Sequence, residues 1–360
     1  MAERPSERSP SEAATRFRYG LQVATLAMLL MVLVTIALKE LSAILQPLFI
    51  GVFISYLIMP AHHWLTRHRI PSALSYVLIA LVVLSVLGGV GAMLVKSVGA
   101  LITKVPLYEK RLDLLVVKLN DVLPWRIPGM QFERVRDIPL LEFVSAEKIA
   151  DTLRALAGTL AGWGTKIVVI LFYLIFLVAE GATFRTRVEN AFGDRQTRRI
   201  MGVVSTINKA ISQYIAVKTL VSFMVASLST IILGSFGVDF WILWGILTFL
   251  ANFIPYVGSM AAVVPPIVLS FIQFDEPWKG AIIGGLLIGA QLLTGNYLEP
   301  RIAGQKLGVS PIMILLSLAF WGWLWGVTGM ILAVPIVVII KIVLDNIQQT
   351  KPIATLLSNI

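Results

Sequence analysis

Apolar residues crowd into runs at 21–38, 44–59, 73–95, 167–179, 220–233 and 281–298, with polar residues confined between them. Runs of this length suit helices that cross a bilayer, which needs roughly 20 apolar residues. The second run is expected to stop at Pro60, because proline cannot continue a helix ladder. Between residues 96 and 164 the pattern changes. Leu107, Leu112, Leu115, Val116 and Leu119 recur at helical spacing among Lys110, Arg111, Asp113, Lys118 and Asp121, which predicts amphipathic short helices on or just outside the membrane. Pro124, Pro128, Gly129 and Pro139 interrupt them.

Two stretches are apolar yet broken. Residues 240–272 read as an arm, then Ile254-Pro255-Tyr256-Val257-Gly258, then an arm holding Pro265-Pro266. Residues 310–340 read as an arm, then Gly326-Val327-Thr328-Gly329, then an arm holding Pro335. In lipid an unpaired backbone polar group costs several kcal/mol, so broken helices belong beside protein or a wet cavity. Paired breaks in matching positions point to a transport site. The expected fold is an all-α polytopic membrane protein with about six spanning helices and two Gly/Pro-broken helical hairpins. The hairpins are either re-entrant or fully crossing. Trp321, Trp323 and Trp325 at the second tip suit the headgroup level or a protein interior.

Composition agrees. Of 360 residues, 57% are hydrophobic and 14% charged, against about 25% charged in soluble domains. The net charge of +10 reflects basic loops flanking spans and implies no nucleic acid. The chain has no cysteine, which excludes disulfides and thiolate metal sites. It lacks a phosphate-binding G-x-x-x-x-G-K-[ST] and the H-E-x-x-H and G-x-S-x-G signatures, so no enzyme activity, ATPase or cofactor is expected.

Charge also sets orientation. With residues 1–19 as a disordered cytoplasmic tail, Arg67/Arg69, the arginine-rich stretch 180–217, Arg301, Lys306, Lys341 and Lys351 all fall inside. The balanced region 96–164 and Asp275-Glu276 fall outside. Both termini are then cytoplasmic. The organisation is a three-helix membrane region (20–95), extracytoplasmic helices (96–164), a fourth span with its basic segment (165–217), a core of two helix-plus-hairpin units (218–345) and a tail (346–360). The two units, beginning on opposite sides, would form an inverted repeat.

Polar residues at membrane depth are candidate site residues. Asn252 either presents its amide to a solute or caps the broken helix. Gln291 either faces a pathway or bridges helices. The cluster Gly295-Asn296-Tyr297-Leu298-Glu299-Pro300-Arg301 holds the deepest carboxylate. Glu299 is either a proton carrier or the partner of Arg301 or Lys218. The expected pathway comprises Asn252, Pro255, Gly258, Gln291, Asn296, Glu299 and Arg301. The expected hinges are Gly258, Gly295, Gly304, Gly326, Gly329 and Pro335. His62, His63 and His68 read as a solvated basic loop; no metal site is expected.

Residues 243–247 (LWGIL), 252–258 (NFIPYVG), Pro265-Pro266, 295–304 (GNYLEPRIAG) and 322–326 (GWLWG) together resemble the autoinducer-2 exporter family of permeases. The resemblance covers most of the chain and is weakest over 96–164. It implies a multi-pass transporter of the bacterial inner membrane. Some members are linked to export of the quorum-sensing signal autoinducer-2, others to sodium–proton exchange. It also implies a homo-oligomer, with a pentamer as one arrangement. Export of a small polar solute, cation–proton antiport and a non-transporting membrane scaffold are the functions that the residues leave open.

Overall fold

A computed structural model describes residues 10–122, 146–303 and 308–358. The described chain is helical throughout, apart from one isolated bridge between Val309 and Ser358. The helices are α1 (Pro10–Glu40), α2 (Ser42–Arg67), α3 (Ser72–Val122), α4 (Ala146–Ser235), α5 (Trp241–Ala251), α6 (Val257–Gln273), α7 (Pro277–Leu292), α8 (Glu299–Ala303), α9 (Pro311–Asp345) and α10 (Lys351–Leu357). A π-helical segment, Leu293–Leu298, joins α7 to α8. Six stretches are long and apolar enough to cross a membrane, among them Arg18–Glu40, Thr183–Ser235 and Pro311–Asp345. The fold is an all-α polytopic membrane protein, some of whose helices are bent or broken.

Several boundaries differ from the sequence expectation. Helix α1 starts at Pro10, so residues 10–19 are helical; residues 1–9 lie outside the described residues. Helix α2 continues past Pro60 to Arg67. Helix α3 runs on through Pro106 to Val122, so its amphipathic stretch extends a spanning helix. One physical reason covers both cases. A proline frees one carbonyl, which costs little when neighbouring turns hold the helix together. Residues 123–145, including Pro124, Pro128, Gly129 and Pro139, lie outside the described residues. Helix α4 bends at Gly193, whose φ of 71° suits glycine. Its second arm carries Arg195, Arg198, Arg199 and Lys209 of the basic stretch together with the apolar run 220–233.

Both broken stretches are hairpins. In the first, the Gln273 amide accepts a hydrogen bond from the Asp239 N–H (2.7 Å) and donates to the Gly237 carbonyl (2.8 Å), which ties together the two feet. In the second, the Ser317 hydroxyl donates to the Ala333 carbonyl at 2.9 Å. A straight helix would hold residues 317 and 333 about 24 Å apart, so α9 folds back on itself. The reversal occurs at Gly326, φ 64° and ψ −143°.

The hairpins pack on different partners. The first buries Leu243, Trp244, Ala262, Val263 and Leu269 against Leu94, Val98 and Leu101 of α3 and Ile283 and Leu287 of α7. The second buries Leu318, Trp321, Trp325 and Leu332 near Leu38 of α1 and Leu45, Phe49 and Phe53 of α2. Trp325 donates its indole N–H to the Leu38 carbonyl at 3.0 Å, so the second tip lies beside the last turn of α1. Trp323 points outward, with the Lys39 ammonium over its ring.

Ion pairs mark both ends of the α4 arm. At one end Arg199 donates to the Asn346 carbonyl (2.8 Å), beside the Lys341–Asp345 pair. At the other, Asp239 accepts from Lys104 (2.7 Å) and Tyr108 (2.6 Å), and Arg111 bonds the Gln273 carbonyl. Burial pushes the Asp239 carboxyl up, but hydrogen bonds from Lys104 and Tyr108 more than offset it, so its pKa sits below the ordinary value.

Candidate functional site

On the second arm of α4, Tyr214, Lys218 and Ser222 recur every four residues and so share one face. Ile211, Ile215, Val221 and Val225 bury alongside them. That face is therefore turned into protein, and its polar groups must find partners there or go without.

Lys218 finds one. Its ammonium donates to both Glu299 oxygens, at 2.8 and 3.1 Å. The lysine side chain is 7% exposed and the glutamate 29%. Burying two charges is costly, and their attraction offsets that only in good geometry; the two short contacts supply it. Of the two sequence options for Glu299, the partner is Lys218. Arg301 instead stacks over the Tyr297 ring, 4.0 Å from its centre.

One turn further along α4, Ser222 is fully buried. Asn252, at the break between α5 and α6, donates its amide to the Ser222 hydroxyl at 2.9 Å. Gln291 of α7 donates in turn to Asn252 Oδ1 at 3.2 Å. The three side chains tie α4, the first hairpin and α7 together. Asn252 and Gln291 thus bridge helices. Gln291 Oε1 remains buried without a hydrogen-bond partner, as do the Tyr214 and Thr219 hydroxyls. Buried polar atoms left open are uncommon, and each needs an explanation. An acceptor and two hydroxyls open beside an ion pair could take the donors and acceptors of a small polar molecule.

The glycines divide into two kinds. A Cβ at Gly258 would lie 1.7 Å from the Ala251 carbonyl oxygen, and one at Gly329 1.9 Å from that of Trp321. In each hairpin a second-arm glycine seats against a first-arm carbonyl, and packing alone requires it. A Cβ at Gly295 or Gly326 would meet nothing within 4 Å. Gly326 is needed for its positive φ; Gly295 has neither reason. Tyr256 beside Pro255 holds φ 61° and ψ −60°, an unfavourable conformation for a side-chain-bearing residue.

The remaining expected residues are scattered. Pro255 is half-buried at the first break, whereas Asn296 and Arg301 are exposed and stand apart from the buried row. Pro335 is buried within the second arm of α9. Gly304 lies outside the described residues. Tyr214, Thr219 and Ser222 were not singled out by sequence reading, since single hydroxyls in an apolar helix are common. The four-residue spacing through Lys218 was the signal available.

Comparison with known proteins agrees with this architecture. Residues 26–349 match the model of the AI-2E family transporters. A Borreliella burgdorferi protein, a transporter by its provisional name only, is 31% identical over 89% of this chain and 86% of its own. The AI-2 transport protein TqsA of Escherichia coli K12 is 29% identical over 92% of this chain and 94% of its own. YhhT of the same organism is 28% identical over 87% and 88%. A helical membrane scaffold with two broken hairpins and a buried polar row that joins α4, the first hairpin and α7, matched along nearly its whole length, is a membrane transporter that belongs to the AI-2E family.

Proposed function

We propose that this transporter exports a small polar solute across the bacterial inner membrane along the α4 face that carries Tyr214, Lys218 and Ser222. Autoinducer-2 is the candidate solute, because a relative's name supplies it. The observation that carries the reading is the buried row Ser222–Asn252–Gln291, with Gln291 Oε1 open at its end. A buried group that bears its desolvation cost without a protein partner is one that a passing solute can satisfy. The Lys218–Glu299 pair, one turn away, closes the basic end. Placing that end in the cytoplasm follows the positive-inside rule and puts both termini there.

Units 218–272 and 280–340 form an inverted repeat in this reading. The matching glycine-on-carbonyl contacts at Gly258 and Gly329 support it. The Arg18–Glu40 part of α1, with no residue buried within the chain, offers an apolar face to lipid and to other copies in a homo-oligomer, with a pentamer as one arrangement. The test is flux of autoinducer-2 from vesicles reconstituted with purified protein. Asn252→Ala combined with Glu299→Gln should abolish it; unchanged flux removes the site assignment.

Cation–proton exchange centred on Glu299 is the second reading, favoured by the buried Lys218–Glu299 pair. Vesicles holding a pH-sensitive dye decide it: sodium- or lithium-dependent proton flux supports exchange, and its absence ends that reading.

A further inference from the structure

Gln291 and Glu299 both face the polar row on α4, the first through Asn252 and Ser222, the second through Lys218. They are eight residues apart on one helix. An α-helix turns about 100° per residue, so residues eight apart should point about 80° away from each other. The intervening π segment resolves the mismatch. A π-turn holds about 4.4 residues, and six such steps take away roughly 100° of rotation, returning the two side chains to within about 30° of one face.

Local chemistry explains why the segment is π-helical. The Glu299 N–H bonds back to the Thr294 carbonyl, five residues earlier. Pro300 brings no N–H to the ladder, so the turn before it lacks the bond that would tighten it. The Thr294 hydroxyl donates to the Ala290 carbonyl (2.7 Å), with the Gln291 carbonyl 3.3 Å away. Gly295 lies inside the segment with open space where a side chain would sit. No packing demands glycine there, which leaves backbone freedom as its physical use.

We infer that Leu293–Leu298 is the positioning element of the pathway: in its π form it aims Glu299 at Lys218 and closes the basic end, and on relaxing toward α it swings Glu299 roughly 100° off that line and opens it. The inference rests on the reading that solute passes this face of α4. Gln291 and its partners stay in place during the change, because they precede the segment. The loss of the Lys218–Glu299 contact is offset by new contacts to the solute.

Deletion of Gly295 tests this directly. With one residue fewer the segment closes as an α-helix, and Gln291 and Glu299, now seven apart, lie within about 20° of each other. The pair survives, but the switch does not. Autoinducer-2 flux from vesicles should fall at least tenfold, while hydrogen exchange of the amides in 293–299 slows. Flux within twofold of wild type, with exchange slowed, overturns the inference. Should the deletion not fold, Gly295→Ala replaces it: flux about fivefold lower supports the inference, and wild-type flux overturns it.

A solute-independent arm is Lys218→Ala in the otherwise intact protein. It should release Glu299 and let the segment settle as an α-helix, slowing exchange across 293–299 as the deletion does; unchanged or faster exchange overturns the inference. Wild-type vesicles that carry no autoinducer-2 would instead refute the solute assignment, and the exchange arm would still decide the role of the segment.

Discussion

Replacing Glu299 by glutamine strips one charge from a pair whose other member is almost sealed from solvent. The Lys218 side chain is 7% exposed, with Glu299 oxygens at 2.8 and 3.1 Å. Leaving one partner of a buried pair behind costs about 3–5 kcal/mol. The amide oxygen of glutamine still accepts from the ammonium, which returns about 1–2 kcal/mol. Glu299→Gln should therefore destabilise the protein by about 2–3 kcal/mol. Lys218→Met should cost less, about 1–2 kcal/mol, because Glu299 at 29% exposure can reach water more readily. With both changes no charge is stranded, and the loss should shrink to about 1 kcal/mol. Equilibrium unfolding of the four proteins in mixed micelles closes the cycle, with an expected coupling of about 2–4 kcal/mol. A coupling below about 0.5 kcal/mol would refute the claim that the pair is held in a low-dielectric setting.

Gly258→Ala and Gly329→Ala should each destabilise by more than about 3 kcal/mol or prevent recovery of folded protein, since their Cβ atoms would sit 1.7 and 1.9 Å from backbone oxygens; size-exclusion profiles in detergent check this, with Gly295→Ala as the control that folds normally. Asp239 has a depressed pKa, so its stabilising effect is complete above its unfolded value of roughly 3.9 and fades as pH falls through the lower folded value. Thermal unfolding from pH 6 down to pH 3 should show this loss in the wild type, and Asp239→Asn should remove that component. Trp325→Phe deletes the bond to the Leu38 carbonyl and should cost about 1 kcal/mol. Proteolysis near Leu41 should become faster; an unchanged cleavage rate would mean that α1 is held by other contacts.

Much of the architecture is readable in the residues because lipid leaves few choices. The apolar runs announce helices, and Pro255, Gly258 and Gly326 announce the reversals, since neither glycine nor proline is otherwise favoured at those places. What fails is the treatment of Pro60 as a stop, since α2 continues to Arg67. Pro60, Pro106, Pro265, Pro266 and Pro335 all lie inside helices, where surrounding turns and neighbours hold the backbone on either side. The expectation of short helices after Lys96 is the second failure, because α3 runs unbroken to Val122. Its apolar stripe packs Leu101, Tyr108 and Leu112 beside the first hairpin, which local periodicity cannot distinguish from packing on a membrane surface.

The site is legible in part. Asn252, Gln291 and Glu299 stand out as costly polar groups in apolar surroundings, and the structure brings each to the α4 row. Lys218 is already a named option for Glu299. Ser222 and Tyr214 are missed because a hydroxyl in a helix can bond its own backbone and so carries little information alone. The π segment is missed for a different reason. Only its neighbours reveal it, through the directions in which Gln291 and Glu299 must point.

The three indoles at the crown of the second hairpin serve as a ready-made depth gauge. Trp321 and Trp325 pack at a tilt with centres 4.8 Å apart inside the fold, while Trp323 is 65% exposed. In a variant with Trp64, Trp241 and Trp278 replaced by Phe, acyl chains brominated at successive carbons should dim chiefly the emission of Trp323, and the carbon that dims it most reads out how far the crown stands from the bilayer centre.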